Sequence, residues 1–316
     1  MDWRALRGDD VAPLLASEML AYRDALGWDV SRAWSVIEPA RAEGRLPGFV
    51  AVGTDGEPRG WTCFVPHRDT IQVATLVASG EPATARLVRG ILRATEAARA
   101  DLCTLFVRDA APGLPEILRR AGFDVARYRY LSASVRGAGP DAAGARAWTL
   151  ADFPATADLL RRAYAGSTDV RAFAPNGTRE EWREYLASLV AGPGCGQFQP
   201  AVSRVAAASD GAAALAGAVL TTELSDRTAH LAQVVVDPAA RGRGLARALI
   251  DGARRAAAGR GARDVTLLVA ESNRPAAQLY ASLGFRDRGV FVAGMRRQPR
   301  RSTSVALATG GVSTRR

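Results

Sequence analysis

The sequence of 316 residues contains no lysine, so all 42 of its basic residues are arginine. Together with abundant alanine and glycine, this usage indicates the coding bias of a GC-rich genome rather than a binding device. The formal net charge is +10, but six arginines and no acidic residues fall within residues 296–316, which leaves +4 for the rest. No basic stripe with interleaved aromatic residues occurs elsewhere, so nucleic acid is not a predicted partner.

Cysteine and histidine are also scarce. The three cysteines, Cys63, Cys103 and Cys195, are widely spaced, and no pair of them has the spacing of metal ligands. With only two histidines in the chain, we predict no metal site. Cys63 and Cys103 lie in apolar strand patterns, which predicts buried thiols in a reduced, cytoplasmic protein.

Long hydrophobic runs are absent as well. The first ten residues contain no apolar run, so we expect no signal peptide. No segment approaches the length that crosses a bilayer, and a membrane is not a predicted partner. The chain is nevertheless 48% hydrophobic and 23% charged, which is enough for a packed core, and its length suits two domains.

Apolar periodicity predicts one α/β plan that occurs twice. The first copy is predicted to contain a strand at 4–7, helices from Asp9 or Asp10 to Tyr22 and at 31–42, strands at 49–53, 60–65 and 70–78, a helix at 84–100, a strand at 102–107, a helix at 114–121 and a strand at 125–135. The segment 136–147 is rich in glycine and alanine and is predicted to link the copies.

After this linker the same order of elements returns. The second copy is predicted to contain a strand and helix cap at 148–152, a first helix that residues 159–164 complete, a second helix at 178–190, strands at 201–207, 216–223 and 230–236, a long helix, a strand at 265–269 and a last short helix. Thr178 and Glu181 have the spacing of a capping box. We therefore expect domains at 1–135 and 148–298, followed by a disordered basic tail at 299–316.

The second copy is organised around a strand, a turn and a helix at residues 230–250. Three valines, 234–236, are typical of a strand that is buried on both faces. Asp237 and Pro238 end that strand, and two glycines then precede apolar residues at helical spacing. Glycines at the start of a helix let a ligand approach the free N–H groups of the first turn. This arrangement favours the binding of phosphate oxygens.

Two motifs resemble those of the GCN5-related N-acetyltransferase (GNAT) family. Arg241-x-x-Gly244-x-Ala246 is similar to the Q/R-x-x-G-x-G/A signature of that family, and residues 273–285 are similar to its N-x-x-x-A-x-L-Y-x-x-L-G-F pattern. The resemblance implies an α/β fold of two tandem GNAT-like domains, each a mixed, mostly antiparallel twisted sheet flanked by helices. It also implies an N-acyltransferase that uses acetyl-CoA or another acyl-CoA.

The resemblance further implies which residues act. The pyrophosphate would lie on the 241–246 loop, the pantetheine arm along the valine strand, and Tyr280 would protonate the leaving thiolate. Asn273 would bind the cofactor arm or cap the last helix. Residues predicted to bind the cofactor are Val234, Val235, Val236, Arg241, Gly242, Arg243, Gly244, Leu245, Ala246, Asn273 and Tyr280. Arg241 and Arg243 could instead be solvated loop cations.

The general base is not identified by the sequence. Leu268 stands where some relatives carry a glutamate, so that role cannot be transferred. Glu223 and His230 are the candidates, and each has a structural alternative, as a charge at a hairpin edge or as a packed strand residue. A water relay and a substrate amine that arrives neutral are further alternatives.

The first copy departs from the family pattern. It lacks the paired glycines, it carries Glu81 where the pyrophosphate should lie, and Leu118 stands in the position of Tyr280. We therefore expect residues 1–135 to be a degenerate, non-catalytic domain that shapes the substrate cleft.

The acceptor is predicted to be the amine of a small molecule or peptide, bound near residues 161–190. Acidic and aromatic side chains there suit a cationic or amphipathic amine, although they also suit an ordinary helix surface; they are Tyr164, Asp169, Phe173, Glu180, Glu181, Trp182 and Tyr185. The alternative to an enzyme is a non-catalytic acyl-CoA-binding sensor or interaction module. The expected oligomeric state is a monomer or a homodimer.

Overall fold

The computed structural model describes residues 1–67, 69–192, 196–208 and 214–297. Over these residues the chain forms eight α-helices and twelve strands. The helices are α1 Gly8–Leu26, α2 Ser31–Ala42, α3 Glu81–Arg93, α4 Leu114–Arg120, α5 Phe153–Ala163, α6 Arg179–Ala191, α7 Leu245–Gly259 and α8 Arg274–Ser282. The strands are β1 Gly48–Val52, β2 Pro58–His67, β3 Thr70–Ala78, β4 Leu102–Arg108, β5 Asp124–Ser134, β6 Arg146–Ala147, β7 Gln197–Phe198, β8 Arg204–Ala207, β9 Leu215–Ser225, β10 Thr228–Val236, β11 Asp264–Ala270 and β12 Arg286–Arg297.

All twelve strands belong to one mixed sheet. Its order is β1-β2-β3-β4-β12-β5-β11-β10-β9-β8-β6, and β7 pairs with β9. Most neighbours are antiparallel, and the parallel pairs are β3 with β4 and β10 with β11. The predicted fold class, a mixed and mostly antiparallel sheet flanked by helices, is confirmed.

The two copies exchange their last strands. β12, from the second copy, pairs with β4 of the first copy over Phe291–Arg297. β5, from the first copy, pairs with β11 of the second copy along the whole length of β11. β12 and β5 also pair with each other, so each copy completes the sheet of the other. The boundary at residues 136–147 therefore divides the sequence but not the sheet.

Helices cover both faces of this sheet. In the second copy, α7 and α8 pack on one face around Leu249, Ile250 and Tyr280, whereas α5 and α6 pack on the other around Leu160 and Trp182. The first copy has corresponding cores, and a fifth cluster that includes Trp28, Tyr130 and Phe291 joins the copies. None of the helices in the described part of the chain is both long and apolar enough to cross a membrane.

Most predicted elements lie within a few residues of the observed ones, and the clearest differences are these. Residues 4–7 are not a strand, because Asp2 caps a 3-10 helix at Trp3–Ala5 and buries Trp3. The helix predicted at 84–100 ends at Arg93, where Ala94 adopts an extended conformation. The strand predicted at 201–207 begins only at Arg204, because Gln199 accepts backbone hydrogen bonds from Val202 and Ser203 in a turn.

The cysteine prediction is confirmed where the structure describes it. Cys63 and Cys103 are free and fully buried, and burial raises the pKa of each thiol to about 12. Cys195 and the tail predicted at 299–316 lie outside the described residues.

Candidate active site

The two parallel strands at the centre of the second copy separate along their length. β10 and β11 pair only from Thr228 and Asp264 to Leu231 and Leu267. Beyond that point β10 continues to pair with β9 as far as Val236, while β11 stays with β5. A gap therefore opens between the second half of β10 and residues 268–270. Main-chain groups of β10 that face this gap have no strand partner, so an extended ligand could pair with them.

A β-bulge marks the point of separation. The register of β10 against β9 shifts between Leu231 and Gln233, which leaves Ala232 as the extra residue. The bulge turns Ala232 and Gln233 towards the α5–α6 face, where Ala232 packs against the core of that face. The valines 234–236 were expected to be buried on both faces, but Val234 and Val236 are only half-buried because β11 has moved away.

The loop at residues 241–246 offers a row of free amides. No acceptor within the described residues receives the backbone N–H of Gly242, Arg243, Gly244, Leu245 or Ala246. Gly242 and Gly244 both have a φ of +77°, and a Cβ on either would meet no atom within 4 Å. The cap of α7 is Gly244, which has no side chain to satisfy the first turn. An anion can therefore reach these amides at the positive end of the helix dipole.

Hydrogen bonds of Asp237 and Arg241 connect this loop to the end of β10 and to α5. Asp237 accepts hydrogen bonds from Ala239 N and from Arg162 Nε, at 3.0 and 2.7 Å, and the bond to Arg162 is the main cause that lowers the pKa of Asp237. Arg241 donates to the carbonyls of Val236 and Ala163. Arg241 therefore orients the loop from the end of α5. Arg243 is exposed and has no polar partner among the described residues.

α8 brings Asn273 and Tyr280 towards the gap. Asn273 Oδ1 accepts the Ala276 N–H at 3.2 Å, so its expected capping role is observed. Tyr280 is 6% exposed and packs edge-on against Phe285 with ring centroids 5.7 Å apart. Its hydroxyl has no hydrogen-bond partner in the described part of the chain. Burial first, and the neighbouring Tyr164 second, raise the pKa of Tyr280, so it is protonated at neutral pH.

Two tyrosines, Tyr164 at the end of α5 and Tyr185 on α6, contact the bulge from the face of the sheet opposite to α8. Tyr164 Oη donates to Gln233 Oε1 at 2.7 Å, and Gln233 Nε2 donates to Tyr185 Oη. Both rings pack on the buried Trp182, Tyr164 by stacking and Tyr185 edge-on. Sequence reasoning missed Gln233, although a single polar residue within the apolar run 231–236 was a signal.

The residues predicted to lie near the acceptor amine divide into two groups. Asp169 and Phe173 lie beside the phenols: the Asp169 carbonyl accepts from Tyr128 Oη at 2.9 Å, its carboxylate accepts from Ser272, and Phe173 packs against Tyr185. Glu181, by contrast, completes the predicted capping box with Thr178. Trp182 is a core residue, and Glu180 is exposed in the first turn of α6.

The two candidate bases lie before the gap opens. Glu223 pairs with Ala229, is half-buried and accepts a hydrogen bond from Gln199 Nε2 at 3.0 Å. Ala229 is four residues before Gln233, which is about 13 Å along a strand. The structure therefore does not bring Glu223 to the bulge.

His230 lies on the α5–α6 face but is buried. Its Nδ1 is 3.0 Å from Thr266 Oγ1, and its ring contacts Trp28 and Tyr130. Burial lowers the pKa of His230 to about 3. The ring is therefore neutral at physiological pH and weakly basic.

The parallel strands of the first copy separate in the same way. β3 and β4 pair only from Thr70 and Leu102 to Val73 and Leu105 and then separate. Leu114 and Leu118 on α4 are fully buried in the adjoining core. A Cβ on Gly113, the residue before α4, would lie 2.8 Å from Glu81 Cγ, so the Glu81 side chain spans the space between the starts of α3 and α4.

Comparisons with known proteins agree with this geometry. Residues 159–285 match the Acetyltransferase (GNAT) family. A solved GCN5-related N-acetyltransferase from Sphaerobacter thermophilus is similar with a TM-score of 0.62 and 20% identity, covering 95% of this chain and 96% of that chain. A comparison with curated proteins found no match.

Two further solved structures are similar over most of this chain. A GCN5-related glucosamine N-acetyltransferase region of a fungal multi-domain GH3 β-N-acetylglucosaminidase has a TM-score of 0.60 and 14% identity, covering 92% of this chain and 37% of that chain. A Drosophila protein has a TM-score of 0.54 and 14% identity, and the likeness covers 93% of this chain and 98% of that chain. At these identities the likeness shows the fold. The matched segment, residues 159–285, carries both the glycine loop and the tyrosine motif, so in this segment the chain is similar to the GNAT family of acetyltransferases.

Proposed function

We propose that the second copy is an acyl-CoA-dependent N-acyltransferase that moves an acetyl or other short acyl group to an amine. The observation that carries this proposal is the row of free amides at residues 242–246, next to a gap between β10 and β11. Such amides suit a diphosphate, and the unpaired edge of β10 suits an extended arm. The amine specificity of the reaction is part of the proposal.

The residues present fit a CoA thioester. Gly242 through Ala246 would hold its phosphates, and Arg243, free of other polar partners in the described residues, would add a charge-assisted contact. Val234, Val235 and Val236 would offer their main chain to the pantetheine arm, and Asn273 would contact it at the start of α8. When bound, the thioester supplies an activated acyl group with a thiolate leaving group.

The chain then has to stabilise developing charge and move protons. A main-chain N–H at the β10 bulge polarises the acyl carbonyl, because charge accumulates on that oxygen during attack. Tyr280, held protonated by burial, donates its proton to the departing sulfur.

The proton of the attacking amine goes to Glu223, to His230 or to water. His230 is on the acceptor face, but its low pKa makes it a weak acceptor. Glu223 is outside the gap. The rates of Glu223→Gln and His230→Gln separate these alternatives, because only loss of the true base shifts the acidic limb of the rate profile.

We also propose that residues 1–135 are non-catalytic and that Glu81, Leu114 and Leu118 close their cofactor site. The acceptor then lies on the α5–α6 face of the second copy. Aromatic rings around Asp169 there suit a cationic or amphipathic amine of a small molecule or peptide.

The test compares two glycine-to-aspartate variants. Gly242→Asp places a carboxylate among the free amides and should abolish acetyl-CoA binding measured by calorimetry. Gly56→Asp is the matched control, because Gly56 also has a positive φ, also has no atom within 4 Å of a built Cβ, and lies in the β1–β2 turn. Unchanged binding in Gly242→Asp would contradict the proposed cofactor site.

Thiol release from acetyl-CoA with a panel of amines separates an enzyme from a sensor. Turnover with any amine supports the transferase. Tight binding without turnover on any amine would favour the alternative, a non-catalytic acyl-CoA-binding module.

A further inference from the structure

The polar side chain at the bulge is held from two sides. Tyr164, at the end of α5, donates to the Gln233 amide oxygen, and the Gln233 amide nitrogen donates to Tyr185 on α6. Gln233 thus uses its acceptor and one donor on two different helices. We call these three residues the bulge clamp.

The two phenols cannot easily move. Tyr164 stacks on Trp182 with centroids 5.2 Å apart and planes 14° apart, and Tyr185 meets the same indole edge-on at 5.7 Å. Trp182 is 2% exposed. The clamp therefore connects the bulge of β10 to a fixed aromatic core rather than to a mobile surface.

The clamp also borders the space that the reaction needs. Tyr164 packs in the α5–α6 core together with Ala232, the extra residue of the bulge. Tyr280 approaches from the α8 side of the gap and Tyr164 from the α5 side. The bulge that carries Gln233 lies where β10 and β11 separate.

A bulge without a clamp would be free to shift its register. The residues after it have lost the β11 partner, so only β9 holds them. A slip by one residue would turn every following side chain and amide to the other side. Fixing Gln233 fixes which N–H groups of residues 232–234 face the gap.

We propose that Gln233 is a positioning residue, which the hydroxyls of Tyr164 and Tyr185 clamp so that the β10 bulge keeps its main-chain donor aimed at the acyl carbonyl. This inference rests on the proposed function, since it needs an acyl group in the gap. It assigns to Gln233 no proton transfer and no direct contact with the reacting atoms.

The test uses Gln233→Met, which keeps the length of the side chain and removes both polar atoms. Tyr164→Phe and Tyr185→Phe each remove one side of the clamp. Thr156→Val is the control. Thr156 lies on α5, the helix that ends at Tyr164, and its hydroxyl accepts a buried hydrogen bond from Trp148 Nε1 at 2.9 Å. The substitution removes that bond at a place away from the gap. All four variants should lose some thermal stability, so stability alone does not separate them.

Two readouts separate positioning from stability. The infrared carbonyl stretch of bound ¹³C-labelled acetyl-CoA should lie below its solution frequency in the unsubstituted protein and in Thr156→Val, and should return towards it in Gln233→Met. Amide hydrogen exchange at residues 232–234 of the ligand-free protein should become faster in the three clamp variants only.

Kinetics provides the third readout. Gln233→Met should lower kcat by about 10- to 100-fold with little change in KM for acetyl-CoA, because a displaced donor weakens the transition state more than ground-state binding. An unchanged carbonyl frequency and kcat in Gln233→Met, with normal acetyl-CoA binding, would overturn this inference alone. Failure of the unsubstituted protein to bind acetyl-CoA would overturn the proposed function as well.

Discussion

Tyr280 packs its ring in an apolar core, and its hydroxyl has no hydrogen-bond partner among the described residues. Replacing it with phenylalanine keeps the packing against Phe285 and removes only the proton donor. We expect Tyr280→Phe to lower kcat by about 100-fold or more, which is the usual contribution of a general acid. Acetyl-CoA binding should persist, as measured by calorimetry.

Tyr22→Phe, a change in the first copy, serves as the control for Tyr280→Phe.

Because burial raises the pKa of Tyr280, the kcat of the unsubstituted protein should not decline at mildly alkaline pH through ionisation of Tyr280. A Tyr280→Phe variant with unchanged kcat would remove the acid role.

His230 makes stability depend on pH. Its folded pKa of about 3 lies below the unfolded value of about 6.5, so the unfolded chain binds a proton first as pH falls. The contribution is complete above pH 6.5 and is lost progressively towards pH 3. At pH 5 the free energy of unfolding should be about 2 kcal/mol lower than above pH 6.5 for this reason.

Denaturant unfolding at pH 7.5 and pH 5 measures this contribution. The difference between the two pH values should shrink in His230→Gln. It should persist in His67→Gln, because His67 is exposed. An equal pH dependence in His230→Gln and the unsubstituted protein would show that His230 is not buried in the neutral form.

At this scale, short motifs with a mechanism were predictable and long-range partners were not. Two glycines before an amphipathic helix indicate free amides, and asparagine before a helix indicates a cap; Asn273 is found in that role. The Arg162–Asp237 and Gln233–Tyr185 contacts join residues that are 75 and 48 positions apart. Nothing in local spacing encodes such pairs.

Among elements, α3 and α7 differ in whether the first turn of the helix is open to a ligand. α7 begins with open glycine amides, whereas the space in front of α3 and α4 holds the Glu81 side chain. We expect calorimetry to give one acetyl-CoA per chain. The Gly242→Asp variant should then retain no binding at all.

One remaining site in Gly242→Asp would show that the first copy binds the cofactor. A stoichiometry of two in the unsubstituted protein would have the same meaning. Gly56→Asp should keep the stoichiometry of the unsubstituted protein in either case, because its charge is added in the exposed β1–β2 turn at the edge of the sheet.

Element positions followed from apolar periodicity, but their neighbours did not. The predicted strand at 70–78 and helix at 31–42 have the same bounds as β3 and α2. Periodicity reports which face of an element is buried, and it carries no information about which strand lies beside it. Apolar periodicity therefore could not predict the insertion of β12 between β4 and β5 or the bulge at Ala232.

For the molecule as a whole, the exchange of β5 and β12 makes the two copies depend on each other. Residues 1–143 alone would leave β4 and β5 without β12 between them, and residues 144–316 alone would leave β11 without β5. Each fragment expressed separately should therefore lack the cooperative unfolding of the whole chain, measured by circular dichroism.

Co-expression of the two fragments is the complementary experiment. Gly144 is exposed and a Cβ there would meet no atom within 4 Å, so a break before it interrupts no helix or strand and cuts only the turn in which Ala145 N donates to the Ala142 carbonyl. We expect the fragments to co-purify and to bind acetyl-CoA. A fragment 144–316 that folds and binds acetyl-CoA alone would contradict this dependence.

The placement of β12 also has a consequence for biosynthesis. A ribosome releases the chain from its amino end, so β4 and β5 emerge about 150 residues before the strand that must lie between them. At ordinary elongation rates that interval is on the order of ten seconds. During it, β4 and β5 present unpaired edges, which favours aggregation. We therefore expect translation speed over the second half, and any chaperone that covers these edges, to govern the soluble yield of this protein.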